Sequence, residues 1–112
     1  MKHIIAIPVS NDFLCQHFGH CEKFAFFEAE NQKIVRENYV IPPPHEPGIL
    51  PPWLASHGVT HIIAGGMGQR AISLFNQQNI QVFTGAEEKS ARTLAEDLLK
   101  NMLKTGTNAC DH

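Results

Sequence analysis

The sequence predicts a single α/β domain: a five-stranded mixed sheet with three helices. Three observations predict it. Two short apolar runs, residues 3–9 and 59–64, read as strands, the first of them continuous enough to be buried on both faces. A strand–turn–strand pattern occupies residues 23–41. Near the end, Ala91, Leu94, Ala95, Leu98, Leu99, Met102 and Leu103 recur at three and four residues, the spacing of one helix face.

Taken in order, residues 3–9 form the first strand and residues 10–22 a long polar loop. Residues 23–28 are the second strand, Glu30, Asn31 and Gln32 a turn, and residues 33–40 the third strand, ending at Ile41. Proximity and turn chemistry pair these two as a hairpin. Pro42, Pro43, Pro44 and Pro47 exclude helix and inner strand from the next segment. Pro51 and Pro52 suit the first turn of a helix that continues through His57, with Gly58 as its C-terminal cap. Residues 59–64 are the fourth strand, broken by Gly65, Gly66, Met67 and Gly68. A second helix over residues 69–78 buries Ala71, Ile72 and Phe75, and residues 80–83 are the fifth strand. Thr84 and Glu87 are spaced as a capping box and predict the start of the last helix. Glu87 and Glu88 would then face the positive end of its dipole, and Lys100 and Lys104 the negative end. The domain is expected over residues 1–104, with residues 105–112 a flexible tail. An 18-residue helix, ~27 Å long, would deliver that tail to the far edge of the sheet, too far for Cys110, Asp111 and His112 to return.

The hairpin makes the second strand antiparallel to its neighbours, and the later crossovers are parallel and right-handed. A sheet ordered 3-2-1-4-5 satisfies both, and resembles a ribonuclease H-like three-layer topology. Ligands of open α/β sheets bind beyond the carboxyl ends of the strands, where the winding reverses. Here that point lies between strands one and four.

Nine basic residues against eleven acidic ones give a net charge of −2, and no stretch is a basic run. Phosphate contacts dominate nucleic-acid affinity, so no nucleic-acid partner is expected. No apolar run approaches the ~18 residues that cross a bilayer, and the first residues do not resemble a signal peptide. A cytoplasmic location away from membranes is therefore expected. Three cysteines in a reducing compartment predict free thiols rather than a disulfide framework.

The predicted topology brings ligand-type residues to one edge. The loop after strand one carries Cys15, His17, His20 and Cys21, and the proline loop after strand three carries His45. Thiolate and imidazole suit iron, zinc, copper and metal–sulfur clusters. The spacing is not that of a zinc finger, and two packed thiols in a polar loop are the structural alternative. Gly65, Gly66, Met67 and Gly68 stand between strand and helix, where backbone amides favour an anion. Gly66, Gly68 and Ala71 also fit a dinucleotide pattern, but no acidic residue ends the next strand. A tight turn is the structural alternative there. His57 and His61 read as a helix-end residue and a strand residue, and Trp53 as core.

His17, Phe18, Gly19, His20, Cys21 and Phe24, then residues 58–68 with Gly65, Gly66, Met67 and Gly68, then residues 80–85, resemble the nitrogenase iron–molybdenum cofactor biosynthesis family. That family includes the NifX-like carriers, the C-terminal domain of NifB and small free-standing proteins. The resemblance runs from about Ile4 to Leu103. It implies a ribonuclease H-like fold and a protein that binds, carries or scaffolds a metal–sulfur cluster. The cargo would be an iron–molybdenum cofactor precursor or a related iron–sulfur or molybdenum cluster. His17, Gly19, His20, Cys21 and the residues from Gly65 to Gly68 would face it. Donor and acceptor proteins of the cluster are the implied partners, and a homodimer is compatible with this. No Ser/His/Asp set, carboxylate pair or Walker lysine points to catalysis, so an enzyme is not expected. The alternative is a nucleotide- or phosphate-binding regulatory or enzymatic domain that uses the glycine loop.

Overall fold

Apolar residues without interruption make Lys2–Ser10 (β1) the centre of the sheet, with Ile5, Ala6, Ile7 and Val9 fully buried. The structure, a computed structural model, describes residues 2–15, 22–43, 48–100 and 103. The other strands are Phe13–Leu14 (β2), Lys23–Glu30 (β3), Lys33–Val40 (β4), His61–Ile63 (β5) and Gln81–Phe83 (β6). The helices are Leu50–Ser56 (α1), Gln69–Gln77 (α2) and Ala91–Leu99 (α3). The sheet runs β4-β3-β1-β5-β6, with β2 paired to β1. β3 lies antiparallel to β1 and β4, whereas β5 and β6 continue parallel to β1. The expected strand order and directions hold.

The strand count does not: among the described residues the sheet has six strands rather than five. Asn11 and Asp12 take positive φ of 53° and 68°, the conformation of a two-residue hairpin turn that asparagine and aspartate tolerate. The chain therefore folds straight back, and Val9 pairs with Leu14 inside what the sequence predicts as loop. Asn31 and Gln32, at 53° and 66°, make the same kind of turn between β3 and β4.

Successive side chains of a strand face opposite sides. Ile5, Ile7, Val9, Ala25 and Phe27 face α3, while Ala6, Phe24 and Phe26 face α1 and α2. Both faces of β1 and β3 are thus core. Burying each phenylalanine contributes roughly 2–3 kcal/mol. β4 is the polar, mostly exposed edge. α1 and α2 end alike. Gly58 N–H donates to Ala55 O and Val59 N–H to Leu54 O, with Gly58 at φ 78°. Asn79 and Ile80 repeat the pattern on Asn76 and Phe75. These are Schellman closures with a left-handed residue after the last turn.

The last helix starts later than predicted. Thr84 and Glu87 are not its capping box. Ser90 is the cap, and its Oγ accepts from Thr93 N–H at 3.3 Å. Gly85, at φ 73°, turns the chain so that its N–H reaches Gly65 O at 2.8 Å and Ala86 N–H reaches Ala64 O at 3.3 Å. The backbone of this segment is committed to the end of β5, so it cannot wind as helix. Glu87 and Glu88 consequently lie outside the first turn of α3.

Candidate site at the carboxyl edge

The position of β2 defines the site. Val9 pairs with Lys23 of β3 on one flank and with Leu14 of β2 on the other. β3 fills the first flank along all of β1, so β2 lies on the flank that β1 shares with β5. The short strand therefore sits beyond the carboxyl end of β5, where the strand order reverses. It is held there by Leu14 N–H on Lys89 O, 2.9 Å, and by Ala91 N–H on Asp12 O, 3.2 Å. Cys15 follows, with its N–H on Pro8 O at 2.9 Å.

Across the crevice, Ala64 N–H donates to Phe83 O at 2.8 Å, and Gly65 and Gly66 are buried. Met67 is 1% exposed and packs in the α1–α2 core. The Met67 thioether is therefore taken up by the core. Gly68 is exposed and caps α2 at φ −67° and ψ 152°, with no side chain to satisfy the first amides. A Cβ there would meet nothing within 4 Å, so packing does not require glycine. No side chain caps the first turn of α2, whose Arg70 is exposed. An anion fits such a helix end, which carries about half a positive charge.

One expectation about the thiols is corrected. Cys15 is disulfide-bonded. A metal takes the thiolate, so Cys15 could ligate only after reduction. His17, Gly19, His20, Cys21 and His45 lie outside the described residues, as do Cys110, Asp111 and His112. Among the described residues, no three His, Cys, Asp or Glu side chains group as a metal site.

The opposite edge holds a constellation that sequence reasoning missed. His3 and His61 meet edge to face, with ring centres 5.1 Å apart. Burial, then the charge of His3, pushes the His61 imidazole below its usual range. His61 was expected to be structural, and His3 is one residue of a strand. Only the parallel register of β1 and β5 brings them together.

A relative of known sequence, an uncharacterized protein of Methanocaldococcus jannaschii, is 35% identical over 105 residues, 89% of this chain and 85% of its own length. The crystal structure of PH0822 superposes with a TM-score of 0.84 at 30% identity, covering 91% of this chain and 93% of that one. The apo form of the orange protein from Desulfovibrio gigas gives 0.76 at 20% identity over 95% and 94%, a likeness of fold alone. Residues 1–101 match the family described as dinitrogenase iron-molybdenum cofactor. The chain belongs to that dinitrogenase iron–molybdenum cofactor family.

Proposed function

We propose that this protein takes up, holds and passes on a metal–sulfur cluster at the carboxyl edge between β1 and β5. The cluster is cargo: an iron–molybdenum cofactor precursor or a related iron–sulfur or molybdenum cluster. Family membership supports the class of cargo. The observation that supports its location most is the meeting, at the strand-order reversal, of β2 with Cys15 and the buried glycine turn that leads into uncapped α2. A polyanionic cluster is stabilised by amide donors at a helix end and by a few soft ligands.

In this proposal His17 and Cys21 contribute most of the ligation. His20 and His45 are secondary ligands, and Cys15 joins once its disulfide is reduced. Gly19, Gly65, Gly66 and Gly68 let the backbone approach the cargo, and Met67 contributes its main chain. The protein acts without turnover on a ribonuclease H-like scaffold in the cytoplasm, between donor and acceptor proteins.

Anaerobic purification under reducing conditions, followed by elemental analysis and absorption spectroscopy, tests this. The expected protein is coloured and retains iron or molybdenum. His17→Ala and Cys21→Ser should lower retention with thermal unfolding nearly unchanged. A colourless chain that also fails to retain an added cluster would overturn the proposal, as would variants that retain it like wild type. Ultraviolet absorbance with stoichiometric phosphorus would instead establish the nucleotide alternative.

A further inference from the structure

We infer that His3 and His61 form a second metal site, at the amino edge of the sheet, that binds a borderline divalent transition ion such as Zn²⁺ through two imidazoles. Ile5 of β1 pairs with His61 of β5. Side chains two apart on a strand share a face, so His3 and Ile5 lie on the same side of β1. Ile5 and Ile63 belong to the core beneath α3, which puts His3 and His61 on that face of adjacent strands.

Their separation fits a shared ion. With metal–nitrogen bonds of ~2.0–2.1 Å and tetrahedral angles, two imidazoles on one ion have ring centres ~5.2 Å apart. The observed distance is 5.1 Å. Coordination leaves each ring free to turn about its metal–nitrogen bond, so the 86° between the ring planes is compatible.

A ligating histidine needs one nitrogen free and the other anchored. Thr60 supplies the anchor. Its Oγ1 accepts from Ile4 N–H at 3.0 Å, donates to Ile4 O at 3.2 Å, and lies 2.7 Å from His61 Nδ1. With the hydroxyl proton on Ile4 O, Nδ1–H of His61 donates to Oγ1 and Nε2 keeps its lone pair. Phe83 stacks on the same ring at 6.2 Å and limits its rotation. The two histidines open into a cavity of about 380 Å³. Asn31, Gln32 and Gln81 line it with amides, and among the described residues no Asp, Glu, Lys or Arg side chain lines it. That leaves room for water to complete the coordination. Imidazole with water suits zinc, copper and nickel better than magnesium or calcium.

The test is a Zn²⁺ titration of the apo chain at pH 7.5, with free thiols alkylated and the histidine ring resonances followed by NMR. The site lies at the edge opposite the proposed cluster site, so its failure leaves the cluster proposal standing. His3 and His61 should shift together on one isotherm. His3→Gln or His61→Gln should weaken binding, read at the remaining ring, at least tenfold. His57→Gln, on the other face, should leave it within twofold, and Mg²⁺ should leave both rings unmoved. The inference is overturned if the rings do not respond to Zn²⁺ or respond on separate isotherms. It is equally overturned if Mg²⁺ moves them alike, or if either glutamine variant binds within twofold of wild type. In those cases the two rings are an aromatic pair and nothing more.

Discussion

Gly68→Ser separates what the fold needs at the carboxyl edge from what the cargo needs. Gly68 caps α2 at φ −67° and ψ 152°; Ser90 caps α3 at φ −61° and ψ 146°, nearly the same backbone, and its hydroxyl reaches Thr93 N–H. The introduced hydroxyl has open space and can satisfy an α2 amide in the same way. Serine improves on glycine at a cap by a few tenths of a kcal/mol, and losing the glycine restricts the unfolded chain by ~0.4 kcal/mol or more. The net gain is ~0.5 kcal/mol. For 112 residues the unfolding entropy is ~0.24 kcal/mol/K, so Tm should rise by ~2 °C. In the proposed function the same hydroxyl would compete with the cargo for that amide. A charge-assisted hydrogen bond contributes ~1.5–3 kcal/mol, so loss of a reconstituted cluster should accelerate at least ~10-fold. Differential scanning calorimetry and the decay of cluster absorbance read the two effects. A fall in Tm would refute the capping geometry. A rise in Tm with unchanged retention would show that the amides of α2 do not bind the cargo.

Two further substitutions test the frame around the site. Ser90→Ala removes the cap of α3, which typically costs ~1 kcal/mol, so Tm should drop by ~4 °C in a thermal melt; an unchanged Tm would contradict the cap. Glu28 sits between Lys2 Nζ at 2.7 Å and Arg36 Nε at 3.2 Å. The hydrogen bond from Lys2, with the charges of Lys2 and Arg36, outweighs burial and holds its carboxyl below the ordinary 4.5. A carboxylate with a lowered folded-state pKa stabilises the fold above its unfolded value and loses that contribution as pH falls through the folded one. Glu28→Gln should therefore lower the urea midpoint at pH 7 and flatten its decline below pH ~4.5. Equal slopes in both proteins would refute the linkage.

The strand order was legible because it rests on apolar runs too long and too buried to be anything else, such as residues 3–9, and on a hairpin joined by Asn31 and Gln32. β2 was equally present as Asn11 and Asp12 between Val9 and Ser10 on one side and Phe13 and Leu14 on the other. Two residues of strand form too short a run for periodicity to show, and ladder pairing to β1 establishes them. The start of α3 failed for a different reason. Thr84 and Glu87 have the right spacing for a cap, but tertiary hydrogen bonds from Gly85 and Ala86 to the end of β5 compete for the same backbone. Local spacing cannot register a competitor twenty residues away. Likewise the glycine turn was visible, whereas the inward direction of Met67 depends on the packing of α2. His3 and His61 are 58 positions apart in sequence and become neighbours only through strand register.

The expectation that the tail stays away from the carboxyl edge falls on residues outside the described ones. That expectation depended on an 18-residue helix carrying the chain ~27 Å to the far side. The described helix has nine residues, a rise of only ~14 Å. Its last residues, Leu98 and Leu99, line the cavity of His3 and His61, so the chain does leave α3 at the amino edge. From Leu99 to Cys110 are eleven residues, which at full extension span ~36 Å. The longest dimension of the molecule is 34 Å. Removing residues 107–112 therefore decides the matter: a metal affinity within about twofold of the full chain, ~0.4 kcal/mol, supports the expectation, and a tenfold loss in a monomeric protein overturns it.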